Sequence, residues 1–267
     1  MPEQCLIALA DCDASAVHDI DALAAQLSIP VLAAQHSPQD FCQFLLFFED
    51  ARLCLRSTAE DASGAVCVDF DNNSLQYRQR HPVQPEALLK AAAVKQGHRT
   101  RVLDATAGFG LDAYLFAAAG CVVTLCERSA ILHAMLSDGI RRALHSPDER
   151  VRQTVERMHL HSGDSLTLMQ AQCQEQERPE IVYLDPMFPE RKKKSAKVKK
   201  NMFLLQQLLH GEQDVPGLLA QALALAERRV VVKRPRHAPF LDDRAPGFTL
   251  EGKSSRFDVY PIVKSAT

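Results

Sequence analysis

Residues 100–120 read TRVLDATAGFGLDAYLFAAAG and predict a strand, a glycine turn and a helix in direct succession. The apolar run that ends at Asp104 has the length of a short buried strand. Gly108 and Gly110 follow as turn residues, and the helical stretch after them ends at Gly120. A strand that leads through a turn into a helix is the first half of a βαβ unit, so this stretch predicts an α/β fold.

The same alternation continues through the rest of the chain. Further strands are predicted at residues 121–127, 157–164 and 180–186, and helices at 129–145, 165–176, 202–211 and 215–227. Residues 228–235 and 256–263, RRVVVKRP and RFDVYPIV, are predicted to form a final strand pair. Alternating strands and helices imply a mostly parallel sheet with right-handed crossovers.

The first part of the chain differs from this pattern in composition and in charge. Residues 1–75 hold twelve of the 33 acidic and two of the 31 basic residues, a balance of −10, so the remainder carries +8. Short strand-like runs with one helical stripe predict a small α+β unit there. The predicted organisation is an acidic unit at residues 1–80, a linker helix at 81–99 and the main domain at 100–267. An anionic partner would be attracted to the main domain and repelled by the first unit.

Cysteine spacing and hydropathy argue against several classes of protein. The eight cysteines include no CxxC pair and no zinc spacing, which favours structural thiols and predicts no metal. No apolar stretch reaches the length of a membrane span, and no basic segment precedes the apolar residues near the start. We therefore expect a cytoplasmic protein without a membrane partner.

An acid follows each of four predicted strands. These acids are Asp104, Glu127, Asp164 and Asp185. Ligands of open parallel sheets bind outside the carboxyl ends of the strands, so the four carboxylates predict one shared site. For Asp164 and the adjacent Ser165, a simple helix N-cap explains the same residues and remains open as an alternative.

The glycine turn allows two interpretations. Gly108 to Ala113 match GxGxxA, which is typical of a nicotinamide-dependent oxidoreductase with Glu127 as the ribose acid. Asp104 fits this interpretation poorly, because an acid at the end of the strand repels a pyrophosphate but suits the cationic end of an amino acid. The arrangement instead resembles motif I of class I S-adenosylmethionine (SAM)-dependent methyltransferases.

That resemblance implies a Rossmann-like class I methyltransferase sheet, mostly parallel with its last strand antiparallel, and SAM as cofactor. It implies that Asp104 and the turn backbone border the methionine portion, that Glu127 binds the ribose and that Asp164 with Ser165 binds the adenine. The cofactor-binding residues that the resemblance implies are Asp104, Gly108, Gly110, Leu111, Asp112, Glu127, Arg128, Asp164, Ser165 and Asp185.

The stretch 185–189, DPMFP, resembles motif IV of methyltransferases that act on exocyclic amines. An aromatic amine is a poor nucleophile because its lone pair is delocalised into the ring. A carboxylate that accepts its N–H can localise that lone pair, and an aromatic ring can stack on the base. The predicted catalytic residues are therefore Asp185, Pro186 and Phe188, whereas a strand-ending turn with a buried Phe is the alternative.

A dense basic run follows this motif. Seven of the ten residues from Arg191 to Lys200 are basic, a pattern that is often no more than a solvated loop. Beside a target pocket, however, such a run would neutralise RNA phosphates. The predicted RNA-binding residues are Arg191, Lys192, Lys193, Lys194, Lys197, Lys199, Lys200, Lys233 and Arg234.

A closer resemblance covers residues 66 to 263. The stretches VLDATAGFGLDA, CERS, YLDPMFPERKKKSAKVKK, RVVVKRP and RFDVY resemble the bacterial small-subunit ribosomal RNA guanine-N2 methyltransferases. This family transfers a methyl group to the 2-amino group of a guanine near the 3′ end of 16S rRNA, so the resemblance implies 16S rRNA or the small ribosomal subunit as partner. The alternatives are another nucleic-acid amino-methyltransferase such as an adenine-N6 enzyme, a NAD-dependent oxidoreductase, and an RNA-binding module without activity.

Overall fold

A computed structural model describes residues 5–10, 20–33, 36–59, 64–71, 87–95, 98–173, 177–186, 216–252 and 255–263. The predicted helix at 202–211, the basic run and Phe188 lie outside these residues.

The first 70 residues build a small mixed sheet. Its strands are β1 (Cys5–Ala10), β2 (Val31–Leu32), β3 (Cys42–Glu49), β4 (Arg52–Ser57) and β5 (Val66–Cys67), in the order β2-β1-β3-β4-β5. Strands β1, β2 and β3 pair in parallel, and β3, β4 and β5 pair antiparallel. Helix α1 (Ile20–Leu27) and the single turn α2 (Pro38–Phe41) complete this unit.

The rest of the chain builds a seven-stranded sheet. Its strands are β6 (Arg101–Asp104), β7 (Val122–Glu127), β8 (Met158–Ser162), β9 (Ile181–Leu184), β10 (Arg229–Pro235), β11 (Phe248–Glu251) and β12 (Ser255–Pro261). The order is β11-β12-β10-β9-β6-β7-β8, with β6 to β10 parallel and β11 and β12 antiparallel. The predicted mostly parallel sheet with an antiparallel end is confirmed; β11 was not predicted.

Helices cover both faces of the seven-stranded sheet. They are α3 (Ala87–Ala92), α4 (Leu111–Ala118), α5 (Ala130–Ala143), α6 (Glu149–Val155), α7 (Ser165–Gln172) and α8 (Leu218–Leu225). One apolar cluster joins α3 to α6 with alternate strand residues such as Val102 and Tyr183. A second cluster joins α7 and α8 with the strand residues that point to the opposite face of the sheet, such as Leu103 and Val182. The two-residue alternation of strand side chains thus gives a sheet between two helix layers.

The small sheet is bound to the larger unit through α5. Asp138 of α5 is 8% exposed and its Oδ2 accepts the backbone N–H of Leu53 in β4 at 3.0 Å. The same carboxylate pairs with Arg141 at 2.7 Å and Arg142 at 2.9 Å, and Arg142 also donates to the carbonyl of Val68. Hydrophobic residues of both sheets belong to one cluster, so the two sheets share a core. The domain boundary predicted at residue 80 stays a prediction.

Candidate active site

The turn between β6 and α4 holds two glycines in left-handed conformation. Gly108 has φ 54° and Gly110 has φ 70°. A Cβ on Gly110 would stand 2.7 Å from Cδ1 of Leu136, whereas a Cβ on Gly108 would meet no atom within 4 Å. Gly110 is therefore fixed by packing, and Gly108 borders open space that a ligand can occupy.

Glu127, at the end of β7, is held against this turn. Its carboxylate is 7% exposed, and its Oε2 accepts the backbone N–H of Gly108 at 2.8 Å. Its Oε1 accepts the backbone N–H of Ser129 at 2.8 Å. These bonds fix the carboxylate between the turns that follow β6 and β7, where the resemblance expects a ribose.

Asp104, the last residue of β6, is 1% exposed. Its carboxylate accepts the backbone N–H of Thr106 at 3.1 Å. Burial raises the pKa of Asp104 to about 8, and the negative charges of Asp112 and Asp185 add to the shift. A cation bound next to it would favour the ionised form, so Asp104 suits a positively charged ligand.

Asp185 lies directly after β9 and is anchored by its neighbours. Its backbone N–H donates to Oγ1 of Thr106 at 2.6 Å, which joins the ends of β6 and β9. Its Oδ2 accepts from Nζ of Lys233 at 2.9 Å. Burial raises the pKa of Asp185, although the charge of Lys233 opposes the shift. Pro186, the next residue, is buried.

Lys233 links two acids of the site. Its Nζ lies 2.7 Å from Oδ2 of Asp112 and 2.9 Å from Oδ2 of Asp185. Burial alone would lower the pKa of Lys233, but the two carboxylates outweigh it and raise the pKa above its usual range. The hydroxyl of Tyr183, which is fully buried, also donates to Asp112 Oδ2 at 2.6 Å. A lysine and a tyrosine thus hold Asp112 and Asp185 in one network.

The remaining predicted cofactor residues lie at nearby helix starts. Asp164 is exposed, and its Oδ1 caps α7 by accepting the N–H of Thr167 at 3.1 Å, as the N-cap alternative requires. Ser165 is the first residue of α7, and Leu111 begins α4 with 42% of its surface exposed. Arg128 is exposed next to Glu127. The adenine role of Asp164 and Ser165 stays a prediction.

Two predicted RNA-binding residues have a different environment from the one expected. Arg234 is 2% exposed, and its Nε donates to the carbonyl of Pro239 at 3.3 Å, so it does not present a guanidinium to an RNA phosphate. Lys233 is engaged with carboxylates inside the site. The environments of both residues therefore differ from the exposed patch that was expected, and their RNA-binding role stays a prediction. The other predicted RNA-binding residues, Arg191, Lys192, Lys193, Lys194, Lys197, Lys199 and Lys200, lie outside the described residues, as does Phe188.

Thr106, Tyr183 and the positioning role of Lys233 were not predicted. A signal for one of them exists in the sequence. Tyr183 and Asp185 are two residues apart, which places them on one face of a strand. Val232 pairs with Leu184 in parallel register, so Lys233 follows next to Asp185, but that pairing is not readable before the sheet order is known.

Within the described residues, no three His, Cys, Asp or Glu side chains lie close enough together to bind a metal ion. Among the helices of the same residues, none has the length and apolar character that a membrane crossing needs.

Comparison with known proteins gives concordant matches. A family model described as "Putative SAM-dependent methyltransferase" matches residues 31–262. Ribosomal RNA small subunit methyltransferase J of Pseudoalteromonas atlantica is 48% identical over 82% of this chain and 85% of its own. The protein of the same name from Cellvibrio japonicus is 42% identical over 89% of this chain and 91% of its own.

A solved structure agrees with these sequence matches. The crystal structure of a SAM-dependent methyltransferase from Neisseria gonorrhoeae superposes with a TM-score of 0.72 at 34% identity, and covers 97% of both chains. The chain therefore belongs to the family of SAM-dependent methyltransferases that includes these proteins.

Proposed function

We propose that this protein transfers a methyl group from SAM to the exocyclic N2 amine of a guanine near the 3′ end of 16S rRNA. Its relatives at 42% and 48% identity carry the name ribosomal RNA small subunit methyltransferase J and match most of the chain. The observation that carries the chemistry is the position of Asp185. It is fixed by Thr106 and Lys233 at the carboxyl end of β9, beside Asp104.

The residues at the ends of β6 and β7 fit SAM. The cofactor presents an ammonium, a sulfonium and a ribose diol, which all suit carboxylates. Asp104 and Glu127 supply two carboxylates on either side of the Gly108 turn, and the space at Gly108 is open. The same acids would repel the pyrophosphate of a dinucleotide. When bound, SAM supplies an electrophilic methyl group.

Asp185 would act on the amine. Its Oδ2 is bonded to Lys233, and we assign its Oδ1 as the acceptor of one N–H of the guanine amine. This contact orients the nitrogen lone pair toward the methyl group, and positioning of this kind accounts for much of the rate when the methyl is transferred from a good leaving group such as the sulfonium. The amine loses one proton on methylation. The raised pKa of Asp185 suits its carboxylate to take up this proton, while Lys233 keeps the carboxylate in place.

The target base and its phosphates would contact the segment after Asp185. We propose that Pro186 and Phe188 border the base, and that the basic run from Arg191 to Lys200 contacts phosphate. A guanine amine in a paired helix is inaccessible, so the target must lie in a loop or be flipped out of a helix. The partner is accordingly 16S rRNA or the small ribosomal subunit, and we propose the cytoplasm as the location where they meet.

We also propose that residues 1–80 form an acidic unit, 81–99 a linker with α3, and 100–267 the methyltransferase domain. The charge balance of −10 in residues 1–75 supports a separate role for the first unit. Measuring the rRNA affinity of the full chain while acids of this unit are neutralised tests that role, and an unchanged affinity would argue against it.

Methyl transfer by the purified chain tests the proposed reaction. The chain would be incubated with SAM and either 16S rRNA or small subunits from a strain that lacks this activity, and the nucleosides identified by mass spectrometry. We expect N2-methylguanosine, whereas N6-methyladenosine would contradict the proposal.

Variants of Asp185 test the mechanism in the same assay. Asp185→Ala should lower turnover about 100-fold or more, in the range of a lost acid–base contact. Asp185→Asn should retain more activity than the alanine variant, because its amide carbonyl still accepts an N–H. Asp243→Asn, at an exposed acid, is the matched control and should leave turnover unchanged. Full turnover by Asp185→Ala would remove this residue from the mechanism.

A further inference from the structure

Two cysteines lie directly opposite each other in the small sheet. Strands β4 and β5 pair antiparallel, with Cys54 as the register partner of Cys67. Directly opposed residues of such a pair have Cβ atoms about 4.5–5.5 Å apart. A disulfide needs about 3.5–4.5 Å between the same atoms, so closing one across this pair requires a movement of about 1 Å. Both side chains belong to the apolar cluster on one face of the small sheet.

The two thiols differ in access. Cys54 is 3% exposed, whereas Cys67 is partly exposed, and both are free thiols. A dissolved oxidant therefore reaches Cys67 first. Cys54 is almost fully buried, so a larger reagent does not reach it directly.

Two guanidinium groups lie next to Cys67. Arg142 donates to the carbonyl of Val68, and Nη1 of Arg52 lies 3.8 Å from Oδ2 of Asp69. The adjacent Cys54 thiol lowers the pKa of Cys67 to about 7, against its burial and with help from the charge of Arg52. The Cys54 thiol itself donates to the carbonyl of Arg52 at 3.4 Å. The contact with Cys67 and burial raise the pKa of Cys54. The nucleophilic thiolate form thus concentrates on the more exposed sulfur.

We propose that Cys54 and Cys67 form an oxidisable dithiol, which a hydroperoxide such as H2O2 converts into a disulfide between β4 and β5. In the first step the Cys67 thiolate attacks the peroxide, the O–O bond breaks and a sulfenic acid forms with release of water. In the second step the Cys54 sulfur attacks the sulfenic sulfur, the S–O bond breaks and a second water leaves. The dithiol loses two electrons and two protons, and the peroxide is reduced to two waters.

The location gives the disulfide a structural consequence. Leu53, next to Cys54, donates its N–H to Asp138 of α5, and Val68, next to Cys67, accepts from Arg142 of the same helix. The cross-link would therefore join the two strands that connect the small sheet to α5. Oxidation should raise the melting temperature, because it restricts the unfolded chain between the two cysteines.

Peptide mapping of the wild-type chain tests the dithiol directly. The reduced protein would be treated with H2O2 in its native state, alkylated with iodoacetamide and digested with trypsin. Trypsin cleaves after Arg52 and Arg56, so Cys54 and Cys67 fall into separate peptides, 53–56 and 57–78. We expect these peptides to appear joined, with a mass about 2 Da below their sum, and to separate on reduction with dithiothreitol.

Buried cysteines of the same chain are internal controls. Burial raises the pKa of Cys121 to about 11 and that of Cys126 to about 12, so both should remain reduced under the same treatment. In Cys54→Ser, Cys67 should stop at the sulfenic acid, which a dimedone probe detects. The proposal is overturned if the joined peptide does not form, or if Cys67 reacts no faster than Cys121.

Discussion

Replacing Lys233 by methionine removes the ammonium that joins Asp112 and Asp185. Methionine keeps most of the apolar stem, so the substitution isolates the two ion pairs at 2.7 Å and 2.9 Å. The variant leaves the carboxylates of Asp112 and Asp185 without the positive charge between them. Both carboxylates also interact electrostatically with the fully buried Asp104. We expect a less stable protein and a misplaced Asp185.

The size of the effect follows from burial. The side chains of Lys233, Asp112 and Asp185 are 28%, 25% and 31% exposed, so water screens the pairs only in part. Removing one partner of a buried pair costs about 3–5 kcal/mol because the other charge is left uncompensated. Partial exposure places this site near the lower limit, so we expect a loss of about 3 kcal/mol in the free energy of unfolding at pH 8.

The loss should depend on pH with a definite sign. Without Lys233 the pKa of Asp185, already raised by burial, rises further above its unfolded value of about 4. A carboxyl whose folded pKa is raised destabilises the protein only when ionised. The deficit relative to wild type should therefore be largest at pH 8 and shrink as the pH falls toward 4.

Urea denaturation at pH 8 and pH 5, together with methyl-transfer kinetics, measures both effects. Lys233→Arg should recover part of the stability, and Lys233→Met should lower kcat more than it raises KM for SAM. Arg236→Met is the matched control, because its pair with Glu251 is 44% and 64% exposed and contributes under about 1 kcal/mol. Equal stability and equal kcat for Lys233→Met and wild type would refute the role of Lys233.

Three further substitutions test other parts of the site and fold. Burial raises the pKa of Asp104 to about 8, so between about pH 4 and pH 8 the folded protein holds a proton that the unfolded chain has released. The free energy of unfolding therefore falls as the pH rises through this interval. Asp104→Asn should remove this fall, which amounts to about 4 kcal/mol between denaturation curves at pH 5 and pH 8.5, and a wild-type stability that is flat over this range would contradict the shift. Gly110→Ala places a Cβ 2.7 Å from Leu136 at φ 70° and should cost about 2–3 kcal/mol by calorimetry, whereas Gly108→Ala meets no atom within 4 Å and should cost about 1 kcal/mol from backbone strain alone. Asp138→Ala leaves the Leu53 N–H and two arginines without their shared acceptor, and should cost about 3–4 kcal/mol in urea denaturation; a loss below 1 kcal/mol would mean that the contact contributes little.

The sheet and the acids at its edge were predictable because their signals are local. Strand and helix periods are read within a dozen residues, and the carboxyl ends of parallel strands must meet at one edge. Asp104, Glu127 and Asp185 accordingly lie at strand ends around one turn, as the spacing predicted. The partners of these acids come from other strands, and a sequence does not state which strands are neighbours.

Lys233 and Arg234 illustrate this limit. Their position as a basic pair at the end of a predicted strand indicated a phosphate-binding patch. In the sheet, Lys233 meets acids 48 and 121 positions away, and Arg234 turns into the protein to a carbonyl five positions on. Charge alone indicated a surface, but the sheet order placed both side chains against internal partners.

Asp138 shows the same limit for the join between the two sheets. The sequence SDGIRR within α5 has the composition of an exposed helix face, yet Asp138 is 8% exposed and a Cβ on Gly139 would lie 2.5 Å from Val68. Asp138 accepts the backbone N–H of Leu53 in β4, and Gly139 and Arg142 contact Val68, the residue after β5. This polar stretch is therefore a contact between α5 and the small sheet. It attaches a segment of net charge −10 to a remainder of +8. Because an RNA phosphate is repelled by negative and attracted by positive charge, we propose that this attachment helps to orient an approaching RNA toward the methyltransferase part.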